Sequence, residues 1–294
     1  MKPAPFELLA ARTAAEAVDL LSELGDGAKP LAGGQSLLPM MIMRLAQPTH
    51  LIDLNQAAGF SGLVRLPGGG YRLGPLVRHL ELEQLAAEPG VGGYLGRVAP
   101  VIAHLPVRVR GTVAGSLAHA DPASEWCTAL LAAGAFVTMR SADGERTMAV
   151  EDFLQGSFTT ALLPNEVVAE VNVPAAGAGC GLGFAEMSRR PGDFALALAA
   201  AALFVDGGLV TAARVVIGGM EGGAARCGPA EEVLTGVAAS AELRAAASDV
   251  AAERVQAYDD GHTSASHRRQ LVRVVVRQAL DQAAGQAGSG HGLQ

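Results

Sequence analysis

Cysteine is scarce in this sequence. Only Cys127, Cys180 and Cys227 occur among 294 residues, with no CxxC pair. That is too few thiolates for a four-cysteine iron–sulfur cluster, and an odd, scattered set gives no disulfide framework, so a reducing compartment is expected. The seven histidines form neither HExxH nor a Cys/His zinc spacing, and no metal ligand set is expected. Asp259 and Asp260 ahead of Thr263 and Ser264 read as the capped start of a helix rather than as metal partners of His262 and His267. Long apolar runs are missing too. The longest, Phe194 to Val205, lies between Asp193 and Asp206 and is too short to span a bilayer. The first residues, Met-Lys-Pro-Ala-Pro-Phe-Glu, carry no apolar core of the signal-peptide kind, which with the cysteine usage points to the cytoplasm. A formal charge of −7 leaves no basic excess for a nucleic-acid surface. There is no GxxxxGK[ST], no GxGxxG opening a βαβ unit, and Gly34-Gln35-Ser36-Leu37-Leu38 lacks the second glycine of a nucleophile elbow. A P-loop NTPase, a Rossmann NAD site and an α/β hydrolase are therefore disfavoured.

What is present is glycine, placed twice in the same way. Leu31-Ala-Gly-Gly-Gln-Ser36 and Gly111-Thr-Val-Ala-Gly-Ser116 are runs of small residues and hydroxyls beside expected strands. Without side chains in the way, backbone N–H groups approach a phosphate closely, and hydroxyls add donors. Either run alone is compatible with a tight surface turn. The pair suggests a long ligand with two phosphates, such as a flavin dinucleotide.

The organisation around these runs is legible. Thr13-Ala-Ala-Glu16 reads as a capping box, followed by Val18, Leu20, Leu21 and Leu24 at helical spacing and closed by Gly25. Residues 29–32 and 51–54 read as short buried strands, 71–76 as a strand and 80–87 as a helix. Pro122 is placed to open a helix reaching Ala133, and 136–140 with 146–150 form a hairpin about Asp143-Gly144. A strand at 167–173 ends at Pro174, before a glycine-rich linker at 175–181. Strands follow at 182–188, 195–205 and 209–218, although the alanines of the middle one favour helix. Helices are expected at 229–234, 241–258 and 266–284, and 285–294 as a flexible polar tail. The result is an α+β chain in two parts, 1–175 (subdomains about 1–56 and 57–175) and 180–284.

The first run, continued through Leu37-Leu-Pro-Met-Met41 and Leu51-Ile-Asp-Leu-Asn55, resembles the first FAD segment of the medium, flavoprotein subunits of molybdenum hydroxylases. The second, from Val109 to Glu125, resembles the second FAD segment of that family. Asp152-Phe153, Gly156 to Leu162, Ser188 to Ala195 and Asp259 to His262 extend the likeness in order over nearly the whole chain. The resemblance implies a two-part FAD-binding domain of the vanillyl-alcohol oxidase / p-cresol methylhydroxylase type. A C-terminal domain of the carbon monoxide dehydrogenase flavoprotein type would follow, with a three-stranded antiparallel sheet and helices.

The resemblance also implies roles. Ala32, Gly33, Gly34, Gln35, Ser36 and Leu37 would wrap the pyrophosphate from one side. Thr112, Val113, Ala114, Gly115, Ser116 and Ala118 would do so from the other, the dinucleotide being held by turns rather than by a helix N-terminus. Asp121 and Glu125 would take ribityl or ribose hydroxyls, and Leu162, Leu163 and Phe184 would lie near the isoalloxazine, with core packing as the alternative for these three. No catalytic residue is implied on this chain, which would relay electrons from two [2Fe–2S] clusters on a small partner subunit to an external acceptor. Substrate would react at molybdopterin-bound molybdenum on a large partner subunit, in a dimer of heterotrimers. Gln35 stands where carbon monoxide dehydrogenases often have His, Ser116 where Asp or Asn is frequent in the family, and Glu186 where some members have lysine; with Arg189 to Asp193 these departures lean towards dehydrogenases of N-heteroaromatic compounds. The alternatives are a carbon monoxide dehydrogenase medium subunit, a scaffold subunit whose flavin site has decayed, and a self-sufficient flavin oxidase or reductase.

Overall fold

Thr13 starts the first helix as its sequence requires. Its hydroxyl accepts from the Glu16 amide, and Ala14–Leu24 follow with Ala17, Val18 and Leu21 buried. The reciprocal half of the box is displaced by one residue, since Glu16 Oε2 accepts from the amide of Arg12 (2.7 Å), not of Thr13. In the computed structural model, which describes residues 2–289, this helix packs on a three-stranded parallel sheet. His50–Asp53 lies at its centre, between Glu7–Ala10 and Ala28–Leu31. Parallel strands need crossovers: the first is the capped helix, and the second is the glycine run with a helix at Leu37–Ile42.

A second sheet of five antiparallel strands follows, in the spatial order Leu63–Arg65, Tyr71–Leu73, Val167–Val173, Phe136–Ser141 and Gly144–Ala149. Between its second and third strands in chain order, Tyr71–Leu73 and Phe136–Ser141, the chain makes a helical excursion: His79–Glu83, Gly90–Val98, Leu105–Arg110, Val113–His119 and Glu125–Ala133. Trp126, Tyr94 and Phe153 fill the core beneath these helices.

The third sheet is antiparallel, Cys180–Ser188, Ala195–Asp206 and Leu209–Gly218, with a two-residue strand at Ala225–Arg226 added to the three expected. Its alanine-rich strand alternates with period two. Ala200 and Ala202 face the core shared with Trp126, and Ala197, Ala199, Ala201 and Leu203 face the core shared with the C-terminal helices. Burial on both faces overrides the helical preference of alanine, and small side chains let both layers approach closely. Gly181 and Gly183 carry this furthest. A Cβ on either would lie 1.9 Å from a backbone carbonyl oxygen of the helix Ala265–Ser289, Ala283 for the first and Ala279 for the second.

Several expectations are corrected. The helix expected from Pro122 begins at Glu125, capped by Ser124, and the one expected to reach residue 258 ends at Arg254. Residues 285–289, expected as tail, continue the last helix; 290–294 lie outside the described residues. Of the four helices between 79 and 119 only that near 80 was expected; the other three and the one at Leu37–Ile42 had no expectation, because they are short and rich in glycine or proline. No helix among the described residues is long and apolar enough to cross a membrane.

Candidate functional site

The first glycine run connects a strand end to a short helix. Gly34 is left-handed (φ 71°), a conformation that favours glycine. The Gln35 side chain turns back, its Nε2 donating to the Gly33 carbonyl at 3.1 Å. The backbone N–H groups of Gly33, Gly34, Gln35 and Ser36 find no acceptor among the described residues. Ala32 and Leu37 are half-buried, and Gln35 and Ser36 are exposed.

The second run is built otherwise. Thr112 is the N-cap of the helix Val113–His119, its Oγ1 accepting from the Gly115 amide at 3.0 Å. The second run, expected as a turn, is thus the start of a helix. Each run leads into a short helix, but at the second the Val113 amide is taken by the Val77 carbonyl and the Gly115 amide by Thr112 Oγ1, which leaves the Ala114 amide as the first-turn N–H without an acceptor among the described residues. Val113 and Ala114 are buried; Ser116 and Ala118 are half-buried.

The two runs abut. A Cβ on Gly33 would stand 2.3 Å from the Arg110 carbonyl oxygen and 2.8 Å from the Gly111 Cα. A polar chain also crosses between them. Asn55 Nδ2 donates to the Ala32 carbonyl (3.0 Å), while Arg78 donates to Asn55 Oδ1 and to the Arg110 carbonyl, both at 2.5 Å. Beneath lies His79, whose Nδ1 accepts from Trp126 Nε1 (2.9 Å). Burial, with the Arg108 and Arg78 charges, lowers its pKa to about 4, so the ring is neutral.

Farther along, the chain turns acidic. The Asp121 carboxylate accepts from the Ala123 amide (2.8 Å), shaping the approach to the helix at Glu125. Glu125 is half-buried and pushed up to about 8, by burial first and then by the Glu186 charge. Burial lifts Glu186 to about 7, and its Oε2 is buried without a hydrogen-bond partner. Glu186 and Phe184 line an open cleft of about 890 Å³ with Tyr94, Arg97, His104 and Gln282. Phe184 is the only expected ligand residue on that lining; Asp121 instead lines a cavity of about 190 Å³ beside Cys127. Leu162 packs against the core, whereas Leu163 is 53% exposed, its amide held by Glu166. No hydrogen bond among the described residues joins Leu162, Leu163 or Phe184 to either glycine run.

Two protein families match this chain. The one described as the FAD binding domain in molybdopterin dehydrogenase covers residues 4–176, and the CO dehydrogenase flavoprotein C-terminal domain covers 183–283. The chain belongs to the FAD-binding medium subunits of the molybdenum hydroxylases. Among its relatives is the alpha subunit of the 6-hydroxypseudooxynicotine dehydrogenase complex of Paenarthrobacter nicotinovorans, 37% identical over 96% of each chain. The nicotine 6-hydroxylase medium subunit of the same organism is 39% identical over 91% of this chain and 93% of its own. Among solved structures, a carbon monoxide dehydrogenase from Hydrogenophaga pseudoflava superposes with a TM-score of 0.92 at 34% identity, over 97% of this chain and 99% of that one. This medium subunit also holds residues at the site that had no assigned role from sequence: Arg78, His79 and Trp126, with Asn55 present only inside a motif. Their partners lie 23 to 47 positions away, so no local spacing signals them.

Proposed function

We propose that this medium subunit holds FAD between its two glycine runs and relays electrons for a molybdenum hydroxylase acting on an N-heteroaromatic substrate. The observation that carries the reading is the abutment of the runs. Four N–H groups without acceptors lie on one run and the Ala114 amide at the helix start of the other, with Arg78 and Arg110 close by. Amides, a helix N-terminus and guanidinium groups are the donor set a pyrophosphate requires. The residues present therefore fit the group, and an intact cradle speaks against a scaffold subunit with a decayed site.

Bound FAD supplies a centre that accepts electrons from one redox partner and releases them to another. The protein's own residues have other tasks. Ala32 to Leu37 and Thr112 to Ala118 hold the phosphates. Asp121 and Glu125 take hydroxyls, and Leu162, Leu163 and Phe184 flank the ring. No side chain of this chain need act as a catalytic acid or base. The reading includes a large molybdopterin subunit and a small subunit with two [2Fe–2S] clusters, assembled as a dimer of heterotrimers in the cytoplasm. It takes 1–175 and 180–284 as the two working units of the chain.

The substrate class rests on the relatives named for 6-hydroxypseudooxynicotine and nicotine and on Gln35, Ser116 and Glu186. The decisive experiment is co-purification with mass spectrometry, followed by spectroscopy. A complex containing both partners should show its flavin absorbance bleached by an N-heteroaromatic substrate, while the isolated subunit's flavin should not respond. A subunit that turned over substrate by itself would refute the relay.

A further inference from the structure

The polar chain between the two glycine runs has a geometry that backbone packing alone does not require. Arg78 stands where the strand Tyr71–Leu73 gives way to the helix His79–Glu83, and its backbone forms an isolated antiparallel bridge with Thr112. The flanking amides hold the same place: His79 N–H donates to the Gly111 carbonyl (3.1 Å) and Val113 N–H to the Val77 carbonyl (3.2 Å). The Arg78 main chain is thus fastened to the second run. Its side chain reaches on, one nitrogen to the Arg110 carbonyl and the other to Asn55 Oδ1. Asn55 is oriented by Asp53, whose Oδ1 accepts from both its amide (2.9 Å) and its Nδ2 (2.5 Å), and Nδ2 also reaches the Ala32 carbonyl of the first run.

We propose that Arg78 and Asn55 are positioning residues that set the separation of the two glycine runs, and so tune the cradle to a dinucleotide pyrophosphate. This rests on the flavin reading above. The residue types suit the task. A planar guanidinium offers donors in a fixed fork, so one side chain can satisfy two acceptors at a set angle, which a lysine ammonium on a flexible stem does not reproduce. Asparagine is the complement, an acceptor for Arg78 on one atom and a donor to Ala32 on the other. An aspartate at 55 would keep the first bond and lose the second. Gly33 explains why separation matters: its Cα faces the Arg110 carbonyl with no room for a methyl group, so a small parting of the runs alters the distance across which their amides act.

The test uses the full chain in its co-purified complex, stripped of flavin, with FAD and FMN as probes. FMN lacks the pyrophosphate and the adenylate. Arg78→Met should weaken FAD binding about ten- to a hundredfold, the range expected for losing charge-assisted hydrogen bonds. FMN binding should change much less, so that the FAD-to-FMN preference collapses. Arg78→Lys should restore only part of the preference, and Asn55→Ala, which leaves Arg78 in place, should reduce it in the same direction. Equal weakening of FAD and FMN, or FAD affinity within about twofold of wild type in both Arg78→Met and Asn55→Ala, would overturn the inference while leaving the flavin reading intact. A wild-type complex that binds no FAD would overturn both.

Discussion

The two glycine runs look alike as text and differ in construction. The first is a loop with little support of its own: its amides have no acceptors among the described residues, and its only side-chain tie within the run is Gln35 to Gly33. The second is a finished helix start, with Thr112 capping Gly115 and its first residues buried. Their surroundings differ as well. Arg78 and Arg110 stand where the runs meet, while the second run leads to Asp121, Glu125 and Glu186. One end of the site is arranged for anions and the other for groups that donate hydrogen bonds or carry no negative charge. A dinucleotide with phosphates in its middle and a polyhydroxyl chain leading to a ring has that same order.

The sharpest way to break this contrast is at Gly33. Gly33→Val places a side chain against the Arg110 backbone, where nothing flexible can yield. Destabilisation of about 3 kcal/mol is expected from such overpacking, together with complete loss of FAD. The C-terminal sheet, which shares no residue with this contact, should still protect residues 183–283 from limited proteolysis. Stoichiometric flavin in the purified variant would remove the first run from the site.

The acidic end is tested through pH. Glu125 and Glu186 both have folded-state pKa values above the ordinary carboxyl value, about 8 and about 7. Between about pH 5 and 8 the folded chain therefore retains protons that the unfolded chain has released, and stability must fall as pH rises. Their full shifts are discounted for partial exposure, leaving on the order of 2–3 kcal/mol for the window. Thermal melts of the flavin-free complex should thus decline from pH 5.5 to 8.5, and Glu125→Gln should flatten the decline. An unchanged slope in that variant would show that the Glu125 carboxyl is not held protonated by its surroundings.

Smaller effects separate the runs further. Thr112→Ala removes the cap and should cost about 1 kcal/mol, with a modest loss of FAD affinity. Gly115→Ala should behave similarly, because the nearest obstacle to its Cβ is the Thr112 hydroxyl at 2.8 Å, which can turn aside only by giving up the cap. Gly115 is therefore expected to tolerate what Gly33 does not. Equal sensitivity of the two glycines in melting and flavin titration would contradict the difference in construction.

How far the sequence could show this depends on range. The Thr13 helix, the hairpin about Asp143-Gly144 and the strands 167–173 and 209–218 follow from local spacing, and the structure contains them. Gly33 and Gly34 were conspicuous because a side chain is missing, a property visible in one letter. The helix at Val113–His119 was not, since Val-Ala-Gly-Ser has weak helical preference and the segment is held by Val77 and Gly111 contacts. Arg78 and Asn55 were silent for the same reason: a polar residue near a turn reads as solvent-facing until the fold brings in acceptors from 32 and 23 positions away. Glu186 was noticed as a departure from the family, but its burial became visible only once the strand Cys180–Ser188 had a layer on each face.

That burial bears on the flavin potential. A carboxylate pointing into solvent would leave the flavin indifferent to its charge, but Glu186 Oε2 is buried and unpartnered, on the cleft that Phe184 also lines. Replacing it by lysine adds a cation where charge is poorly screened, which favours the more negative, reduced flavin. At neutral pH the group sits near its own midpoint of about 7, so the substitution changes the local charge by less than two units. With an effective dielectric near 20 and an assumed charge separation of about 10 Å, that is about 2–3 kcal/mol, or about 45–65 mV for a two-electron couple. Glu186→Lys should therefore raise the flavin potential of the complex by that order. Glu186→Gln should raise it less, and only above about pH 7, where the native carboxyl is charged. Redox titration at pH 6 and pH 8.5 gives the comparison. A potential unmoved in both variants at both pH values would place Glu186 away from the ring and detach the acidic end from the flavin site.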